Sequence, residues 1–201
     1  YSSNYLDGVG TYALTRLPQS IVISQVSGSI IYFSDYTSIR KITRSSRAVQ
    51  TIAGSYPNGN IGYLDATGTN SLFGFIWGLA LSPGETALFA SDYNAGCIRR
   101  FDMASTVVTT FAGTTSGIGG RLPIDGVGTY SNFARPFTMA LSQDNLYLYV
   151  NDNYKLIRKI SMGNTNVETI AGQLISTSFG SGIGKAATFN KLGGITDIGG
   201  V

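Results

Sequence analysis

Apolar runs of four to six residues, set between polar and glycine-rich stretches, recur along this chain and are rich in Ile, Val, Tyr and Phe. That is strand length and strand chemistry, and it is too short for a typical helix. The first four runs fall near 20–24, 30–35, 38–43 and 48–53. The connection between the second and third runs varies: Tyr36-Thr37-Ser38, then Tyr93 to Cys97, then Asn153 to Leu156. Such variation is what a surface hairpin tip tolerates. The interval between the third and fourth runs is constant, from Ile42 to Val49, Phe101 to Val108 and Ile160 to Val167, which predicts a fixed turn.

The runs belong to a repeat. Thr51-Ile52-Ala53-Gly54 returns as Thr110-Phe111-Ala112-Gly113 and as Thr169-Ile170-Ala171-Gly172, each time after 59 residues. Strands ending in Asp35, Asp92 and Asp152 keep the same phase, as do Ile39-Arg40-Lys41-Ile42, Ile98-Arg99-Arg100-Phe101 and Ile157-Arg158-Lys159-Ile160. Each copy opens on a glycine loop: Asp7-Gly8-Val9-Gly10, Asp65-Ala66-Thr67-Gly68, Asp125-Gly126-Val127-Gly128 and Ser181-Gly182-Ile183-Gly184. From the last glycine of each loop the next apolar run ends 14 residues later, at Ser24, Ser82, Ser142 and Ile198. The repeats therefore span about 7–64, 65–124, 125–180 and a shortened 181–201.

A small twisted sheet of four antiparallel strands with two apolar faces cannot bury both alone. Radial stacking of such sheets solves the problem, so the fold expected is all-β, a β-propeller of four-stranded blades, with three blades and the start of a fourth. An isolated arc of this kind leaves its two end faces uncovered. Other blades, from a longer parent chain or from a second copy, are expected to cover them. The chain starts at Tyr1 rather than Met, as a trimmed product or a fragment of something longer would.

Composition narrows the function classes. Of 201 residues 12% are charged, with 14 Lys and Arg against 11 Asp and Glu and no run of like charges longer than two. This is no nucleic-acid or membrane footprint. No apolar stretch reaches membrane-helix length and no leader is visible, and the localisation expected is extracellular or at the cell surface. A single cysteine, Cys97, rules out an internal disulfide and reads as a buried packing residue.

In order, the glycine loop, a small residue, an aromatic, a proline, a glycine, a strand ending in Asp, Ile-Arg-Lys-Ile and Thr-Ile-Ala-Gly resemble the NHL repeat. The third copy carries the resemblance best, through Asp125, Gly126, Gly128, Ser131, Phe133, Pro136, Asp152, Ile157, Arg158 and Gly172. The first has Thr15 at the aromatic place, the second Ile76 at the proline place, and the fourth keeps Gly184, Ala187, Phe189 and Gly194. The resemblance implies a propeller of about six blades, more than this chain supplies. The period exceeds that of compact members because Ser55 to Leu64 and Thr114 to Ile124 are extra.

The recurrent Asp35, Asp92 and Asp152 with Arg40, Arg99 and Arg158 are expected to form hydrogen bonds that tie blades together, not a ligand ring. Gly10, Gly68, Gly128 and Gly184 are expected in tight turns with positive φ. One carboxylate per loop is too few for calcium, so no metal or cofactor is expected. NHL-like lyases use metal-bound histidines, and this sequence has no histidine; its two glutamates, Glu85 and Glu168, sit in different repeats. The chain is therefore expected to be a non-catalytic protein-interaction or structural scaffold. A self-assembling filament subunit is the first alternative and an RNA-binding NHL domain the second. Against RNA, the non-repeated basic residues Arg16, Arg44, Arg47, Arg121 and Arg135 show no cluster interleaved with aromatics.

Overall fold

A computed structural model describes residues 5–114, 122–174 and 180–195. The first sheet holds β1 (Gly8–Val9), β2 (Pro18–Ile23), β3 (Ile30–Asp35), β4 (Ser38–Thr43) and β5 (Ala48–Gly54). The second holds β6 (Ala66–Thr67), β7 (Ile76–Leu81), β8 (Ala87–Asp92), β9 (Cys97–Asp102) and β10 (Val107–Ala112). The third holds β11 (Gly126–Val127), β12 (Pro136–Leu141), β13 (Tyr147–Asp152), β14 (Leu156–Ser161) and β15 (Asn166–Gly172). All pairing is antiparallel, in the order β1-β5-β4-β3-β2 and its two equivalents. The long strands lie within two residues of the runs expected from the sequence.

The sheets have five strands, where four were expected. The fifth is half of the glycine loop itself: Gly8 and Val9 pair with Val49 and Ala48 at the far edge of the sheet. A two-residue strand is too short to show any alternation, so a loop is all that the sequence pattern signals. The loop also grips the fixed turn between the last two long strands. The amides of Gly10, Gly68 and Gly128 donate to the carbonyls of Arg47, Thr106 and Thr165 at 2.8–3.0 Å. Those glycines have φ of 54–60°, and Gly184 has 58°.

Neighbouring sheets meet face to face through β2, β7 and β12. One core holds Tyr32, Ile39 and Ala53 of the first sheet against Phe73, Ile76, Leu79, Phe101 and Val108 of the second. The next holds Ala80, Phe89, Ile98 and Ala112 against Phe133, Met139, Val150, Ile160 and Val167 of the third. Each sheet thus has a leading face toward its predecessor and a trailing face toward its successor. The leading face of the first sheet has no predecessor among the described residues: Ile21 is 63% exposed, whereas its counterparts Leu79 and Met139 are 4% and 7%. A cavity of about 420 Å³ opens there, lined by Ala13, Pro18, Ile21, Phe33, Ile42 and Val49 among others.

The fourth repeat begins in register. Gly184–Ala186 forms the same short 3-10 turn that follows the other glycine loops. Leu192 donates its amide to Tyr154 O at 2.7 Å, as Ile76 does to Tyr36 O at 2.8 Å. The run expected to end at Ile198 lies outside the described residues, as does most of the extra segment from Thr114 to Ile124. No helix is long and apolar enough to cross a membrane among the described residues.

Candidate functional site

The repeated charged residues converge on one constellation per blade. In the first, Asp35 accepts the amides of Arg16 and Leu17 at 2.8 Å and pairs with Arg40 at 2.8 Å. Arg40 also donates to the carbonyls of Leu14 and Leu6 and to Asp7. Asp7 in turn accepts the amide and hydroxyl of Thr51. The third blade repeats this with Asp152, Arg158, Asp125 and Thr169. The second differs slightly: Arg99 approaches Asp92 only to 3.7 Å, while Asp92 takes three amides, from Gly74, Phe75 and Ala95. All three Arg–Asp pairs are fully buried, and a Phe ring (Phe33, Phe73 or Phe133) lies 4.9–5.6 Å from each guanidinium carbon. Burial pushes the carboxyls of Asp92 and Asp152 above their ordinary range, with the facing Arg99 and Arg158 opposing it.

These bonds lie within each repeat and its entering strap. They hold the crossing segment onto its own blade, which corrects the expectation that the Asp and Arg residues tie one blade to the next. Blade-to-blade bonds run through other groups. Leu79 N donates to Ser20 Oγ, Gly54 N to Ser71 Oγ and Gly113 N to Ser131 Oγ, each at 3.1 Å, and Ser91 Oγ reaches Phe137 O. Asp7, Asp65 and Asp125 spend their oxygens on Thr and Arg groups of their own repeat, and Asp125 also accepts from Lys185 of the fourth repeat at 3.3 Å. Among the described residues no three carboxylates or thiols gather closely enough to hold a metal. Cys97 is fully buried, and burial pushes its thiol well up.

A second constellation was not read from the sequence. At the blade end carrying the β3–β4, β8–β9 and β13–β14 tips, six aromatic side chains form a continuous row. Tyr36 meets Phe75 at 5.4 Å, Phe75 meets Trp77 at 5.3 Å and Trp77 meets Tyr93 at 5.7 Å. Phe137 joins Trp77 at 4.9 Å, and Tyr154 closes the row at 3.7 Å from Phe137. Three exposed cations lie on it: Arg16 over Tyr36 at 4.1 Å, Arg135 over Tyr93 at 5.4 Å and Lys191 over Tyr154 at 5.6 Å. Arg16 and Arg135 are thus interleaved with aromatics, against the sequence expectation. Arg44 is not: it donates to Gly28 O at the opposite end of its blade. Arg121 lies outside the described residues.

No family model matches the chain, and no curated protein matches it. Solved structures do. An auxiliary nutrient binding protein from Bacteroides ovatus is 19% identical with a TM-score of 0.55, over 76% of this chain and 37% of that one. One from Bacteroides thetaiotaomicron is 19% identical with a TM-score of 0.54, over 65% and 33%. The WD40 repeats of RRP9 are 16% identical with a TM-score of 0.54, over 81% and 41%. The chain spans between 33% and 41% of the length of these structures. What it shares with them is the fold, that of the β-propeller.

Proposed function

We propose that this chain is a non-catalytic interaction scaffold of the NHL type, working outside the cell or at its surface, whose exposed blade end binds a protein partner. The observation that carries the reading is the aromatic row spanning three sheets, mounted on blades whose recurrent Asp and Arg residues are already bonded internally. Large rigid aromatic rings give contact area at little entropic cost, and Trp, Tyr and Arg dominate the energetics of protein interfaces. The lack of histidine supports a non-catalytic role, as does the engagement of both glutamates. Glu168 pairs with Lys159, and Glu85 accepts the amide of Val26. The nutrient-binding proteins of the same fold are consistent with a binding role. Selection of a random peptide display library on the immobilised chain tests it: enriched peptides displaced by soluble chain are expected, and a failure to enrich any contradicts it.

A second reading, a subunit that assembles with further blades from a longer chain or from other copies, is favoured by the exposed leading face of the first sheet. Its counterparts in the second and third sheets are each covered by the sheet before. Light scattering at rising concentration separates the two: growing particles support assembly, and a monodisperse monomer counts against it.

A further inference from the structure

We infer that the aromatic row is the docking site for an acidic protein segment that carries aromatic side chains, with Trp77 and Tyr93 at its centre and Arg16, Arg135 and Lys191 as its cationic contacts. This rests on the scaffold reading and names its site and partner class.

The geometry is a repeated device. The aromatic at the hairpin tip of one blade meets the residue seven positions after the loop glycine of the next. Tyr36 meets Phe75 at 5.4 Å, Tyr93 meets Arg135 at 5.4 Å and Tyr154 meets Lys191 at 5.6 Å. The first junction therefore pairs two rings, and the second and third each pair a ring with a cation. Arg16 adds a cation over the first ring.

Among the described residues, charge at this end is one-sided. Asp35, Asp92 and Asp152 lie just below the tips but are fully buried and neutralised by backbone amides and by Arg40, Arg99 and Arg158. The exposed charges on the row are cations, so the complementary partner is acidic. The rings are held by edge and tilted contacts to one another, so little freedom is lost when a partner settles on them. Nucleic acid fits less well. Three cations over three blades offer few phosphate contacts, and the rings pack against each other, as Phe137 and Tyr154 do at 3.7 Å, rather than standing apart to receive bases.

The test uses the intact chain and a fluorescently labelled random copolymer of glutamate and tyrosine, read by anisotropy, with polyglutamate and oligouridylate as comparators. The copolymer is expected to bind more tightly than polyglutamate and to weaken as salt rises. Trp77→Ala should weaken binding about tenfold or more, and the exposed pair Arg16→Gln/Arg135→Gln by a similar factor. Arg44→Gln, at the opposite blade end, should bind as the parent does. If Trp77→Ala does not fold, the exposed arginine pair decides the matter. Equal binding by parent and arginine variant overturns the inference. So does row-dependent binding of oligouridylate without binding of the copolymer, which would make the row a nucleic-acid surface. If the copolymer fails while display selection enriches peptides of another kind, the scaffold reading stands and the acidic partner falls. If neither binds, both fall.

Discussion

Arg158 and Asp152 meet at 3.1 Å with both side chains fully buried, and each has further partners: Arg158 donates to Asn132 O and Ile124 O, and Asp152 accepts the amides of Ala134 and Arg135. Removing Arg158 leaves Asp152 without its counterion in the blade interior and takes a partner from Asp125 as well. Arg158→Met is expected to cost about 3–5 kcal/mol. Asp152→Leu added to it should not restore stability, because the amides of Ala134 and Arg135 lose the carboxylate that accepts them. Urea denaturation of parent, single and double variants checks this, and full recovery in the double variant would show the pair alone to be the clamp.

Two kinds of glycine should respond differently to a methyl group. A Cβ on Gly172, at φ 97°, would lie 2.0 Å from Lys155 O, and one on Gly54, at φ 93°, 2.2 Å from Thr37 O. Gly10, at φ 60°, has nothing within 4 Å of its would-be Cβ. Gly10→Ala should therefore cost only about 1–2 kcal/mol, the left-handed backbone penalty. Gly172→Ala and Gly54→Ala must move backbone as well and should lower the melting temperature much further. Equal losses at all three positions would contradict the geometry.

Acid should act on the carboxylates with two opposite signs. The Asp102 carboxyl is held down at about 2 by the amide and hydroxyl of Ser105 and by Arg100. A lowered folded value contributes stability that is present above the ordinary 3.8 and is lost as pH falls toward about 2. Asp92 and Asp152 are raised, so their contribution is present below 3.8 and is lost as pH rises through their folded values. Stability of Asp102→Asn should consequently converge on that of the parent as pH falls from about 4 to about 2. A gap that stays constant across this window would mean that Asp102 is not held low.

On the leading face of the first sheet, charge should be tolerated by the fold. Ile21 and Ile23 are 63% and 49% exposed, so Ile21→Lys/Ile23→Lys should change stability by less than about 1 kcal/mol. The same change at Leu79, 4% exposed between two sheets, should unfold the chain. Sedimentation of the double lysine variant against the parent checks the assembly reading: association by the parent through this face is abolished in the variant.

Much of the fold was legible because its signals are periodic. The short apolar run Ile30-Ile31-Tyr32-Phe33 and the recurrence of Thr51, Thr110 and Thr169 place strands and blades without reference to any contact. The clamp residues were legible as types but not as partners. Asp7 and Thr51 are 44 positions apart, and only the closing of β1 onto β5 brings them together. The fifth strand stayed hidden because two residues carry no pattern. The aromatic row stayed hidden for another reason: its members occupy equivalent repeat positions with different chemistry. Phe75, Arg135 and Lys191 share one place in three repeats, and Trp77 and Phe137 share another. Comparison by identity passes over them, whereas stacking the repeats on their loop glycines aligns them.

Amide hydrogen exchange of the intact chain, with and without the glutamate–tyrosine copolymer, decides whether the aromatic row is the docking face. Added protection is expected in the segments around 74–77, 93–96 and 134–137, and none in the opposite-end turns around 24–29, 82–86 and 142–146. Protection confined to those opposite turns, or no change at the tips under conditions where the copolymer is bound, would contradict it.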